Sequence, residues 1–131
     1  IVLGVVERSG SPPELIAGSI EYLESYYRPI IERGRGMSFS QNLYLLGVAN
    51  QLAFANTKQM KYFEAAKRYY EDGLRLGPRR PQFLYGMFDI YRTENNVPRA
   101  KEVGEQILRQ WPQDERARQG LEDFLKTRSA P

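Results

Sequence analysis

A chain of 131 residues is long enough for a continuous core, and with no cysteine and no histidine it excludes disulfides, thiolate nucleophiles, Ser-His-Asp triads and the usual zinc ligand sets. Its 19 Lys and Arg against 16 Asp and Glu leave a net charge of +3, with arginine supplying 14 of the cations. That excess is too small to imply nucleic acid and supports no more than a mild attraction to acidic partners. No cofactor and no metal site is expected, and the lack of cysteine leaves the redox compartment open.

Residues 1–10 read as a terminal stub and linker. Ile1-Val2-Leu3-Gly4-Val5-Val6 falls far short of the roughly 20 apolar residues of a spanning helix. It reads as a strand or helix end tucked onto the core, or as the end of a longer apolar segment. Beginning at Ile1, the chain suggests an excised domain or a processed protein, so a membrane enters only through flanking sequence.

Residues 11–37 form an N-terminal packing helix. Ser11 is its N-cap, Pro12 its first helical residue and Glu14 a capping-box partner. Ile16, Ile20, Leu23 and Tyr27 follow at spacings of four, three and four, which lays an apolar stripe along one face. Pro29 lacks an amide proton and clashes with the Ser25 carbonyl, so the helix is expected to kink or stop there. Arg33-Gly34-Arg35-Gly36 reads as a solvated loop, two arginines without an adjacent aromatic being a poor phosphate footprint.

Residues 38–131 hold the remaining helices. One starts at Ser38 or Ser40 and carries Leu43, Leu46, Asn50 and Ala53 along one side, with Leu45, Val48 and Leu52 broadening the face. So apolar a helix calls for neighbours on more than one side. The next runs from Tyr62 to Leu76, closed by a left-handed Gly77 and by Pro78. A helix from Pro81 to about Thr93, a turn at Asn95-Asn96, a helix with Pro98 in its first turn ending before Trp111-Pro112, and a last helix capped by Asp114 complete the series. No stretch alternates with period two, so no strand is expected. The fold class is all-α, with about six helices.

Pro78 and Pro112 stand 34 residues apart, and Ala66/Ala100, Lys67/Lys101, Glu71/Glu105, Leu74/Leu108 and Arg75/Arg109 are identical at the same offset. Such a period marks a helical repeat array. The residues resemble the tetratricopeptide repeat. Leu84, Met87, Phe88, Tyr91, Ala100, Gly104, Ile107 and Pro112 occupy its patterned places, with a large Phe88 and a small Gly104 each reversing the usual size. A paired exchange of this kind conserves packed volume between two helices. In the preceding unit Leu43, Leu46, Gly47 and Asn50 fit the first helix, and Ala66, Tyr70 and Pro78 the second. The two halves align only with about seven extra residues, expected in the turn around Asn56 to Lys61. Ala66 and Ala100 then mark close helix approaches.

The resemblance implies antiparallel helix pairs in a solenoid, and a non-catalytic scaffold that binds another protein or a peptide in a groove lined by the first helix of each unit. Carried over by position, the partner-binding residues are Tyr44, Gln51, Gln82, Tyr85, Asp89, Arg92 and Gln119. Tyr85 and Arg92 are expected to serve binding more than stability. Tyr44 and Val48 replace the lysine and asparagine of the family's carboxylate clamp, so a mixed polar peptide or partner helix suits the groove better. The run from Leu76 to Tyr85 is also similar to repeat tails of bacterial membrane enzymes of the O-antigen ligase or polymerase type. That likeness implies an extracytoplasmic accessory domain. Of each tyrosine pair, Tyr26-Tyr27 and Tyr69-Tyr70, one ring is expected inward and the other at the margin. Neighbouring carboxylates such as Glu71-Asp72 diverge on a helix and cannot flank one bond, so no catalytic residue is assigned.

Overall fold

The computed structural model describes residues 10–33, 37–77 and 80–129. They form six helices and no strand: α1 (Pro13–Arg33), α2 (Met37–Thr57), α3 (Met60–Leu76), α4 (Pro81–Thr93), α5 (Val97–Gln110) and α6 (Glu115–Ser129). The stub before Gly10, the Gly34-Arg35-Gly36 loop and Pro78-Arg79 lie outside the described residues. The chain divides after Leu76 into two compact units, one holding α1 to α3 and the other α4 to α6.

In the first unit α1 begins one residue later than expected: its first residue is Pro13, and the flanking Pro12, not Ser11, takes the cap position, its carbonyl accepting the amides of Leu15 (3.0 Å) and Ile16 (3.1 Å). Ile16, Ile20 and Leu23 are buried and Tyr27 is half-buried. The helix does not stop at Pro29. It continues to Arg33, because proline removes a single backbone donor and the apolar stripe outweighs that loss. The next helix begins at Met37, ahead of both serines proposed as its cap.

The stretch Leu43, Leu46, Asn50 and Ala53 is buried throughout, and α2 packs against both α1 and α3. The register of α2 on α3 follows from ring contacts. Phe54 lies 5.1 Å from Phe63 near the turn, and Gly47 and Gln51 meet Tyr70 farther along, so the two helices run antiparallel. The turn is only Lys58 and Gln59, with Lys58 left-handed at φ 61° and its amide returned to the Phe54 carbonyl at 2.7 Å. The extra residues of this unit therefore do not sit in a loop. They lengthen the helices to 21 and 17 residues, against 13 and 14 in α4 and α5.

Tyr69 and Tyr70 are both buried, contrary to the one-in, one-out expectation. Adjacent side chains point about 100° apart, and α3 has a neighbour in each direction. Tyr70 turns to α2, where its hydroxyl donates to Gln51 Oε1 at 2.7 Å, and Tyr69 reaches α1, donating to Glu24 Oε1 at 2.9 Å. Gly77 is not left-handed either. Its carbonyl instead accepts the Arg80 amide at 3.1 Å, while among the described residues the left-handed ones are Gly10, Lys58 and Asn95.

In the second unit Pro81 opens α4. Asn95, at φ 59°, ends it: the Asn96 amide returns to Tyr91 O and that of Asn95 to Arg92 O, a Schellman closure. Asn96 Oδ1 caps α5 through the Arg99 amide (3.3 Å), and Asp114 Oδ1 caps α6 through that of Ala117 (3.0 Å). Phe88 lies beside Gly104, and Tyr85 stacks on Trp111 at 6.4 Å, so α4 and α5 also run antiparallel.

The size exchange read at Phe88 and Gly104 is met by direct packing. A Cβ on Gly104 would stand 3.2 Å from Phe88 Cε1 and 3.1 Å from both Leu121 methyls. In the first unit the ring comes from the other helix: a Cβ on Gly47 would fall 2.5 Å from Tyr70 Cε1. Ala66 and Ala100 are wholly buried.

Two glycine substitutions should separate these contacts. Gly47→Ala gains about 1 kcal/mol of helix propensity but drives a methyl into a ring held by Gln51, so a net loss of about 1–2 kcal/mol is expected from overpacking. Gly104→Ala meets the Leu121 methyls and the edge of the Phe88 ring at 3.1–3.2 Å, where a give of a few tenths of an ångström suffices, and should change stability by less than about 1 kcal/mol. Urea unfolding of both variants checks this, and equal costs would contradict the described seating of Tyr70.

Candidate partner-binding face

The residues assigned to binding fall into both units. In the first, Tyr44 is exposed and Gln51 half-buried, and both approach Tyr70: the Tyr44 ring at 6.3 Å, Gln51 through its hydrogen bond. Gln51 is thereby committed to an internal contact through one of its amide atoms.

In the second unit the structure brings Asp89 and Arg92 together on α4, with Arg92 beside Gly120 and Asp123 of α6, while Gln119 lies outside the furrow that these three line and touches it only through Asp123. Asp89 and Arg92 form an ion pair one turn apart on α4. The Arg92 guanidinium lies over the Phe88 ring at 4.3 Å, and a Cβ on Gly120 would stand 3.0 Å from its Nη1. Glycine at 120 lets the guanidinium pack flat against α6. Arg92 Nε is buried and has no hydrogen-bond partner among the described protein atoms. On α6, Gln119 Nε2 donates to Asp123 Oδ1 at 2.9 Å. A furrow of about 430 Å³ opens here, lined by Arg92, Thr93, Gly120, Asp123, Phe124 and Thr127. Its walls carry charges of both signs, hydroxyls and one aromatic ring.

Gln82 and Tyr85 are half-buried on the same helix as Asp89 and Arg92. Tyr85 stacks on Trp111 and Arg92 covers Phe88, so both side chains support the unit as well as facing its surface. These contacts set a stability cost against the expectation that the two side chains serve binding more than the fold, and the Arg92 variants below measure it. Leu84 and Met87 are buried, while Tyr91, assigned to the core with them, is half-buried.

A second furrow, of about 360 Å³, escaped the sequence reading. It lies in the first unit between α1 and α3, with Ala17, Ile20, Tyr62, Ala65 and Asn50 in its lining, Glu21 and Glu24 on the α1 wall and Lys61 and Arg68 on the α3 wall. The signal available in sequence was the i, i+3 spacing of Glu21 and Glu24 beside the buried stripe, which is indistinguishable from ordinary solvated helix until α3 is seen opposite. At its edge Tyr69 has its phenol pushed up to about 12. Burial disfavours the phenolate first, and the hydrogen bond to Glu24 and that carboxylate's charge add to the effect.

Among the described residues no group of three or more Asp or Glu is placed to hold a metal ion, and no helix is long and apolar enough to cross a membrane. The chain matches no protein-family model, no curated protein and no solved structure.

Tyr69 sets a pH dependence. Below its unfolded value of 10.0 the phenol is protonated in both states and its contribution is fully present. Between there and about 12 the unfolded chain ionises first, so stability falls as pH rises, by up to about 1.4 kcal/mol per pH unit from this group. Urea unfolding from pH 9 upward should show a shallower decline in Tyr69→Phe than in the parent chain. For Arg92, removing the guanidinium uncovers Phe88. Arg92→Ala should lose about 1 kcal/mol, and Arg92→Met, which keeps an apolar stem over the ring, should lose less. Matching unfolding midpoints in the two variants would show that the ring cover contributes nothing.

Proposed function

We propose that the chain is a non-catalytic protein-interaction module of tetratricopeptide type, a short array of antiparallel helix pairs. In this reading its central contact is the furrow between α4 and α6. The observation that carries it is Arg92: a guanidinium laid on Phe88, paired on one side with Asp89, and still about one third exposed where it lines an open furrow. Such an arrangement suits a backbone carbonyl or carboxamide of an extended polar peptide, or of a partner helix, gripped by area and hydrogen bonds more than by one strong ion pair.

The repeat reading draws support from three features. The 34-residue offset aligns six identical residue pairs. The antiparallel registers of α2 with α3 and of α4 with α5 agree with helix-pair units. The positions aligned by the repeat pattern, Gly47 with Phe88 and Tyr70 with Gly104, each place one ring against one glycine, with the ring on opposite helices. Gln82 and Tyr85 extend the face along α4, Gln119 extends it along α6, and Tyr44 and Gln51 hold the corresponding places on α2.

The test is selection of extended peptides from a random displayed library on the full chain, followed by titration of the selected peptides in solution. Gln119→Arg and Asp123→Arg, on exposed turns of α6, should weaken binding at least about tenfold, equivalent to about 1.4 kcal/mol. Glu71→Arg and Glu105→Arg, on exposed positions of α3 and α5, should leave it unchanged. The reverse pattern, or failure to recover any peptide that binds in solution, would overturn the assignment.

A further inference from the structure

The polar side chains that line the α4–α6 furrow are unevenly divided between hydrogen-bond donors and acceptors. Thr93 Oγ1 donates to the Asp89 carbonyl at 2.9 Å and Thr127 Oγ1 to the Asp123 carbonyl at 2.8 Å, about one helical turn back in each case. A threonine hydroxyl has a single proton, so both oxygens are left as acceptors only. Asp123 adds a carboxylate, which also only accepts. Arg92 is the one remaining donor among the described lining residues, and its Nη2 is already paired with Asp89.

The charges follow the same division. Arg92 has its counter-ion one turn away on its own helix. Asp123 is exposed and meets the neutral carboxamide of Gln119 instead, while Arg116 and Lys126 of α6 stand outside the furrow lining. The furrow also lies where two helices end. Thr93 is the last residue of α4 and Thr127 stands in the last turn of α6, and a helix carries partial negative charge at its C-terminus that acts over that turn. Phe124, buried in the same lining, supplies an apolar wall along which an aliphatic stem can lie. The whole chain, at +3, points mildly to acidic partners. This furrow reverses that preference locally.

We infer that the furrow takes a cationic side chain, lysine or arginine, of an extended peptide, with the charged head among Asp123, Thr93 and Thr127 and the stem along Phe124. It rests on the peptide-binding reading and adds to it what the peptide must carry. The roles in the furrow then separate. The Arg92 guanidinium meets a carbonyl of the peptide, and the basic side chain of a neighbouring residue reaches the acceptors.

Peptides selected from the random displayed library on the full chain, titrated in solution, provide the test. Lysine or arginine should recur at one fixed position. Replacing that residue by norleucine, which keeps a stem and removes the charge, should weaken binding to the parent at least about tenfold and binding to Asp123→Asn by less than about threefold. Thr93→Val with Thr127→Val keeps the side-chain shape and removes both acceptors, so it should weaken the basic peptide at least about threefold and leave the norleucine peptide unchanged. All three substituted positions are exposed, and circular dichroism with urea unfolding confirms that each variant is folded. Selected peptides without a basic residue at a fixed position, a norleucine exchange equally costly in the parent and in Asp123→Asn, or a basic peptide indifferent to the valine pair would overturn the inference and leave the furrow as the binding site. Recovery of no peptide that binds in solution would overturn it together with the reading it rests on.

Discussion

An aromatic ring seated over a glycine holds each half of this protein in register. Tyr70 of α3 lies so close to Gly47 of α2 that no side chain fits between them, and Phe88 of α4 lies against Gly104 of α5. A ring pressed on bare backbone brings two helices nearer than interlocked aliphatic side chains allow, and it fixes their sliding position because only one turn of the facing helix lacks a Cβ. The surrounding core follows from that placement. Asn50 and Ala53 along α2, and Ile107 and Leu121 around Phe88, are buried where the approach permits.

The same contacts bring polar groups inside on terms that satisfy them. With Tyr70 committed to α2, Tyr69 is turned by the helix period toward α1, and each hydroxyl finds an acceptor, Glu24 for one and Gln51 for the other. A buried phenol of raised pKa is the electrostatic trace of that arrangement. Asn50 is handled locally, its amide donating to the Leu46 carbonyl one turn back at 2.8 Å.

In the second unit the ring over glycine also shapes the surface. Phe88 also stands near α6, since a Cβ on Gly120 would lie 3.6 Å from its Cε2. Its remaining face is covered by Arg92, which draws the guanidinium down between α4 and α6 and buries Nε. A charged side chain that serves as a lid on the core cannot be solvated on all sides, and its exposed part forms one wall of the furrow beside it. Packing and recognition therefore converge on one residue, and for the same reason Arg92 is both a stabilising and a surface-facing group.

By itself the sequence determined the elements. The apolar stripes of α1 and α2, the prolines opening α4 and lying in the first turn of α5, Asn95 in the turn and Asp114 as a cap are local matters of periodicity and backbone chemistry, and they lie where those rules put them. The complementary sizes of Phe88 and Gly104 were legible too, because a repeat pattern states which positions should meet. Other features needed the tertiary structure. Pro29 stayed within a helix because packing along the stripe outweighed one lost donor. The extra residues of the first unit went into longer helices joined by a two-residue turn, since helical residues bury surface and loop residues do not. Both Tyr69 and Tyr70 turned inward because α3 has neighbours on two sides. The unpaired Nε of Arg92 and the opposed charges across the α1–α3 furrow depend on which helix faces which. No local rule contains that information, because it is set by long-range packing between residues far apart in the chain.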